Sequence, residues 1–396
     1  MIIVEEAIEI LSDQVIHFGT EQIPSTQAIG RVLREQVVAD RDFPPFDRVT
    51  MDGIAIHYAT FEQGVRTFDV TGEAPAGTAQ AQLDQPKNCL EVMTGAVLPK
   101  GTDTVIRYED VIIEDGRATI QIDAINFRQN VHFQGIDRKQ GDGILQPGIV
   151  LGAAQLGVCA TVGQEPITVS RLPKTLIIST GDELVEVDET PLPHQIRKSN
   201  IAQLSALLDD FRIVPDKLHL QDDYEHILDQ LKDCVNTYDL ILLSGGVSKG
   251  KYDFLPRALD ELGVHKWFHK IKQRPGKPFW FGRKEDCFVF AFPGNPVSSF
   301  MCATRYLRPW LAECLQQQMT SPVFVRLSED VYFKPDLTYF LEVKLRSNLQ
   351  GVLEAHPVKG NGSGDLANLV DADAFIQLPQ GRDVYEAGGI YPVFRY

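Results

Sequence analysis

The sequence predicts a multidomain α/β plus β protein: a doubly wound α/β domain, an inserted β domain, an N-terminal helical/linker domain and a C-terminal β-barrel-like domain. Three observations predict it. Between 174 and 310, buried-strand signatures alternate with apolar residues at helical spacing, the pattern of a largely parallel sheet covered on both faces. Between 53 and 123, and again after 321, short alternating runs are separated by Gly and Pro, as in all-β structure. The 396 residues, 43% of them hydrophobic, suffice for several cores.

The elements follow in order. Over 3–16, Val4, Ile8, Leu11 and Val15 share one face of a helix. A turn at 24–27 leads to an expected second helix over 28–37, with Ile29, Val32 and Leu33 apolar. The β insert is expected as runs around 53–58, 66–71, 89–94, 103–107, 110–113 and 117–123, ended by Gln146-Pro147-Gly148. A short helix over 153–162 precedes the α/β domain. There the apolar run 174–179 is a buried strand, and Asn200 is expected to cap a helix carrying Ile201, Leu204, Leu207, Leu208 and Phe211. Strand 213–220 follows, then a helix capped by Asp222 or Asp223. Strand 239–244, helix 254–262, strands 266–271 and 287–292, and a helix from Pro296 through Trp310 complete the domain. Strands at 323–327, 339–345, 352–355, 374–378 and 389–394 make the last domain. The expected boundaries are 1–39 with 138–170 for a discontinuous, elongated N-terminal/linker domain, 40–137 for the β insert, 171–318 for the α/β domain and 319–396 for the C-terminal β domain.

Net charge is −16, which argues against generic nucleic-acid binding. Six cysteines are scattered without a CxxC pair and read as buried free thiols of a reducing compartment. Neither a cationic-apolar N-terminal signal nor an apolar run of transmembrane length appears, so a cytoplasmic protein with no membrane partner is expected.

Chemistry is expected on the loops. The segment Phe43-Pro44-Pro45-Phe46-Asp47-Arg48-Val49-Thr50-Met51-Asp52-Gly53 is stiffened by proline and must lie on a surface. Its acids suit metal or phosphate work, although alone it also fits a solvated turn. In Ser179-Thr180-Gly181-Asp182-Glu183-Leu184 the acids suit Mg²⁺, or else the positive end of a helix. In 244–253, Gly245 and Gly246 bare backbone N–H groups while Ser248, Lys249 and Lys251 add donors, the recipe for cradling phosphate. The Walker pattern is absent, and Asp253 is a candidate to share a metal. Lys272-Gln273-Arg274-Pro275-Gly276-Lys277-Pro278 gathers cations around a rigid turn, for an anion or as a solvated hairpin. In 292–298, Asn295 is an N-cap and Pro296 the first helical residue. Such loops leave the carboxyl ends of strands, where open α/β sheets bind ligands. His265 and His269 read as surface residues.

Taken together, Pro45-Phe46-Asp47 with Met51-Asp52-Gly53, Met93-Thr94-Gly95-Ala96, Thr180-Gly181-Asp182-Glu183-Leu184, Ser199-Asn200, Gly245-Gly246-Val247-Ser248, Pro275-Gly276-Lys277-Pro278 and Pro293-Gly294-Asn295-Pro296 carry a resemblance. In order and spacing, over essentially the whole chain, the sequence resembles the MoeA family of molybdopterin molybdenumtransferases, which includes the C-terminal domain of gephyrin. The resemblance implies a MogA-like α/β domain. It implies an enzyme that takes adenylylated molybdopterin and molybdate, hydrolyses the adenylate with release of AMP and leaves molybdenum on the dithiolene, with Mg²⁺ assisting. It also implies a homodimer, with a composite site between the α/β domain of one subunit and the β insert of the other, and a molybdopterin adenylyltransferase as partner.

On that scaffold Asp52, Glu183 and Asp253 are the expected catalytic residues, with Glu183, Asp253 and Asp182 as metal ligands. Thr94, Asp137, Ser199, Gly245, Gly246 and Ser248 are expected to bind substrate, as are Lys272, Pro275, Lys277, Pro293, Asn295 and Pro296. The chain departs from the family pattern at several of these loops. Arg48 stands where asparagine is common, Lys198 where an acid is common, and Lys249 and Lys251 where a neutral and often an acidic residue stand. Ile136 replaces glutamate and Ile54 replaces tyrosine, while His132 replaces arginine and runs the other way. A more cationic pocket rim and salt-sensitive substrate affinity are expected. Rival readings are a MogA-type adenylyltransferase, a non-catalytic gephyrin-like scaffold and a generic sugar-phosphate or nucleotide hydrolase. The first leaves the β insert and C-terminal domain unexplained. The acids at Asp52, Glu183 and Asp253 argue against the second.

Overall fold

The apolar run at 175–180 becomes an inner strand of a six-stranded sheet ordered Asp216–Leu220, Thr175–Thr180, Leu240–Ser244, Cys287–Phe292, Trp280–Lys284, His265–Phe268. The computed structural model describes residues 1–246, 254–318 and 321–396. The first four strands of the sheet run parallel, and Trp280–Lys284 pairs antiparallel with both of its neighbours. Alternate residues of each strand face opposite cores. Ile177, Leu242 and Phe290 pack with Ile201 and Leu204 of the Ser199–Asp209 helix, while Ile178, Leu243 and Val289 pack with Ile227 and Leu255 of the Tyr224–Cys234 and Leu255–Glu261 helices. Burial on both faces is why these strands read as continuous apolar runs. It also sends the carboxyl ends of the parallel strands to one rim.

Local chemistry sets the helix starts. Asp223 caps the Tyr224–Cys234 helix, its carboxylate accepting from the His226 N–H at 2.8 Å. Asn295 precedes Pro296, the first residue of the Pro296–Cys302 helix. That helix continues through a π turn, Ala303–Leu307, into Arg308–Cys314. The widened turn falls just before Pro309, which has no N–H to donate to the preceding turn.

The sheet belongs to a compact unit made of Met1–Arg34, Pro147–Gly152 and Pro166–Tyr396. The expected N-terminal helix forms as Val4–Asp13, and Val4, Ala7 and Leu11 join the core of Trp310 and Leu311. The expected helix over 28–37 does not form. Gly30 sits at φ +78°, and the backbone of 30–34 pairs instead with 149–151 and 168–170. Intersegment partners satisfy that backbone in place of a helix, and Val32 and Leu33 are buried. Near the C-terminus, Thr338–Ser347, Leu353–Pro357, Phe324–Leu327, Ile390–Arg395 and Ala374–Leu378 pair in a ring that closes on Thr338–Ser347, a five-stranded barrel.

The second unit is Glu35–Gln146 with Ala153–Glu165. Its six-stranded sheet is ordered Thr104–Arg107, Gly53–Ile56, Asn88–Val92, Thr67–Ala74, Arg117–Ile120, Val111–Glu114. Ile54 and Ile56 face one core and Ala55 another. The strand Arg48–Val49, inside the proline-rich loop, pairs with Val131–His132. All six cysteines are free and buried, and burial pushes the Cys287 thiol up to about 12. Among the described residues, no helix is long and apolar enough to cross a membrane.

Candidate functional site

A cleft of about 1060 Å³ opens at the carboxyl ends of the parallel strands. It gathers residues from four of the segments singled out in the sequence: Thr180, Gly181, Glu183 and Leu184 (Asp182 of the same loop is not in the lining), Ser199 with Asn200, Gly245 with Gly246, and Pro293 to Pro296. Glycine geometry builds it. Gly181 has φ +132°, and the carboxylate of Glu183 folds back over it so closely that a Cβ would lie 2.7 Å from Oε2. Gly246 has φ +66°, and a Cβ there would meet Leu255 Cδ1 at 2.8 Å and Thr180 Oγ1 at 2.9 Å. The positive φ at both positions favours glycine, and any Cβ would also have to displace the neighbouring side-chain atoms.

Asn200 is not the helix cap. Lys198 occupies that position, and the helix starts at Ser199. Asn200 Nδ2 donates to Ser244 Oγ at 2.9 Å and to the Gly294 carbonyl at 2.8 Å. One amide therefore ties the ends of two strands to the helix that faces them. Asn200→Asp keeps the shape but points a carboxylate at the Gly294 carbonyl. It is expected to cost about 1–3 kcal/mol in urea unfolding, with Asn200→Gln recovering part of it.

A second cleft, of about 1260 Å³, lies beside the first and shares Pro278, Pro293 and Asn295 with it. Pro275, Gly276 and Lys277 line it, together with barrel residues such as Phe333 and Tyr339. Lys272 lines neither cleft; its backbone bridges Ile2 and Thr338. Sequence reading missed the contribution of 360–366. Gly364 and Leu366 line the first cleft, and Ser363 Oγ accepts from Asn295 Nδ2 at 2.8 Å. The density of glycine in Gly360-Asn361-Gly362-Ser363-Gly364 was the available signal. Asp222, read only as a possible cap, also lines the first cleft, and its N–H donates to Asp182 Oδ1 at 3.3 Å.

Val247, Ser248, Lys249, Lys251 and Asp253 lie outside the described residues. Among the described residues there is no cluster of three His, Cys, Asp or Glu that could hold a metal. The cleft carries instead the carboxylates of Glu183 and Asp222. Mg²⁺ is held by one or two carboxylates plus substrate phosphates, and this donor set fits that habit.

In the other unit, Asp52 and Thr94 come together. Asp52 is exposed, and its Oδ1 accepts from both the Thr94 N–H and the Thr94 hydroxyl, each at 2.6 Å. These two bonds, the hydroxyl's first, hold the carboxyl below the usual carboxylate range. Asp137 instead meets His132, with Nε2 3.2 Å from Oδ1. Arg48 donates to His132 Nδ1 at 3.2 Å. A guanidinium is always a donor, so Nδ1 is the acceptor and Nε2 carries the proton toward Asp137. Arg48 and His132, both singled out in the sequence, are thus a bonded pair.

The comparisons agree along the whole chain. Residues 2–163 match the MoeA N-terminal region (domain I and II), residues 176–313 a probable molybdopterin binding domain, and residues 325–393 the MoeA C-terminal region (domain IV). A molybdopterin molybdenumtransferase from Synechocystis is 39% identical over 405 residues, covering 100% of both chains. One from Haemophilus influenzae is 32% identical over 375 residues, covering 93% of this chain and 92% of that one. A crystal structure of the molybdopterin biosynthesis MoeA protein from Pyrococcus horikosii superposes with a TM-score of 0.83 at 29% identity, covering 100% of this chain and 99% of that one. With its rim cleft, closed barrel and inserted β unit, the chain belongs to the MoeA family of molybdopterin molybdenumtransferases, enzymes of molybdenum cofactor biosynthesis.

Proposed function

We propose that the chain inserts molybdenum from molybdate into adenylylated molybdopterin, coupled to hydrolysis of the adenylate in the cleft at the strand ends. The observation that carries this reading is the convergence of Glu183, Ser199, Gly245 and Pro293 on one cleft of about 1060 Å³. The N-terminus of the Ser199–Asp209 helix, which lines the cleft through Ser199 and Asn200, suits the phosphates. Glu183, with Asp182 and Asp253, would hold Mg²⁺, which when bound would neutralise charge on the phosphoanhydride. In the hydrolysis, the oxygen of water bonds to one phosphorus. The bridging oxygen leaves with the other phosphate, giving AMP and molybdopterin phosphate.

Asp52 is the residue assigned to orient that water, delivered by a second copy in a homodimer. Its exposure supports the assignment. So does the engagement of Oδ1 by Thr94, with no hydrogen bond to Oδ2 among the described residues. Lys277 is assigned to molybdate as a point charge, and its position in the lining of the adjoining cleft supports this. Thr94 and Asp137 are assigned to the wall that the second copy contributes. The protein is read as cytoplasmic, receiving its substrate from a molybdopterin adenylyltransferase.

The test is incubation of the purified protein with adenylylated molybdopterin, molybdate and Mg²⁺, reading AMP by chromatography and the dithiolene-bound metal by absorbance. Equimolar AMP and metallated pterin are expected. Adenylylation of metal-free molybdopterin by ATP, without AMP release from the adenylylated form, would replace this reading with the adenylyltransferase. Sedimentation at micromolar protein is expected to show a dimer.

A further inference from the structure

Lys198 sits where electrostatics disfavour it. It caps the Ser199–Asp209 helix, at the end where free backbone N–H groups already concentrate positive charge. No acidic residue lies in the first turn of that helix to offset it. The side chain is only 10% exposed, yet it lines the cleft beside Ser199 and Asn200. Its ammonium pairs with Glu186, whose own carboxylate is 60% exposed and is drawn below the usual range by that bond. The nearby His219 is bonded to Ser179 Oγ at 3.0 Å. Burial, and then Lys198, lower its tendency to protonate, so it adds little positive charge of its own.

A cap chosen for stability would be Ser, Thr, Asp or Asn, which accept from the first N–H groups. Lysine offers the helix nothing there and must be desolvated as well. A buried, unpartnered acceptor lies in the same stretch of lining. Asn200 Oδ1 is buried without a hydrogen-bond partner among the described residues, while its Nδ2 is fully engaged. The cleft lining therefore includes a compact cation and, two residues on, an amide whose buried oxygen is unengaged. A phosphorylated nucleoside supplies the complement of the cation, its anionic oxygens.

Resting on the reading of the cleft as the adenylate site, we propose that Lys198 is a substrate-binding residue of this chain. Its ammonium grips a non-bridging phosphoryl oxygen of the phosphoanhydride, and Glu186 is the positioning residue that holds it at the helix N-terminus before substrate arrives. The arriving phosphate replaces an exposed carboxylate with a better-placed anion. The cation so gained also favours the charge that builds on the departing phosphate.

Lys198→Met, Lys198→Arg and Glu186→Gln test this. ADP, a simple phosphoanhydride probe, is titrated calorimetrically into each full-length protein across a salt series. KM and kcat for adenylylated molybdopterin are measured beside it. Lys198→Met is expected to weaken ADP and raise KM by about 10–100-fold, to flatten the salt dependence, and to melt no lower than the parent. Lys198→Arg is expected to recover much of the affinity, and Glu186→Gln to change KM far less than Lys198→Met. Parental ADP affinity and salt slope in folded Lys198→Met would overturn the inference. So would a lower melting temperature with unchanged KM, the mark of a purely structural lysine. Failure of the parent to release AMP from the adenylylated substrate would sink the reaction, while ADP titration would still report on Lys198.

Discussion

Asp52→Ala is expected to lower molybdenum insertion by about 10²–10⁴-fold, the usual worth of a positioned general base, while the protein stays folded. Asp52 is exposed, so its removal leaves no cavity. What is lost is a carboxylate held in one orientation by the Thr94 N–H and hydroxyl, both on Oδ1 at 2.6 Å. Those bonds favour the ionised form, so its pKa is depressed relative to the unfolded chain. By linkage, the stability they contribute is present above the unfolded pKa and is lost as pH falls through the folded one. Activity should accordingly survive below the pH at which an ordinary aspartate protonates. Thr94→Val removes the hydroxyl and keeps the N–H, and should move the acid limb of the kcat profile to higher pH. An Asp52→Ala variant with full activity, or a Thr94→Val profile unchanged on its acid side, would remove Asp52 from the reaction.

Gly53→Ala is expected to be the most damaging small substitution in the inserted unit, costing about 3 kcal/mol or more in urea unfolding. Gly53 opens an inner strand, pairing with Val92 on one side and Arg107 on the other. A Cβ there would lie 2.8 Å from the Ile106 carbonyl carbon and 2.9 Å from Arg107 Cα, and nearer still to the Ile106 oxygen. These are backbone atoms held by a ladder, so neither can swing aside as a flexible side chain would. The strand must be pushed off its partner, and Asp52 and Thr94 should then part as well. Activity should fall with stability, whereas Asp52→Ala separates the two. A Gly53→Ala protein with parental urea midpoint would mean that the strands yield more readily than close packing allows.

Much of this molecule was legible in its residues. Apolar runs buried on both faces, as at 175–180 and 240–244, announce parallel strands because nothing polar is needed on either side. The order of Thr180-Gly181-Asp182-Glu183, Gly245-Gly246 and Pro293-Gly294-Asn295-Pro296 along such strands places them on one rim, because parallel strands all end on the same side. Tertiary structure decided what local pattern cannot carry, which is the identity of partners far away in sequence. Segment 28–37 has helical spacing, yet its N–H and C=O groups were satisfied by 149–151 and 168–170. Asn200 stands where a cap is expected, yet its amide reaches Ser244 and Gly294. Lys198 is read from the sequence as part of a cationic pocket rim, and only packing shows it nearly buried, paired with Glu186 and in the lining of the cleft. Periodicity and turn residues encode elements, because they act over a few residues. A cleft is made of contacts between segments, and those exist only once burial has selected one arrangement of the whole chain.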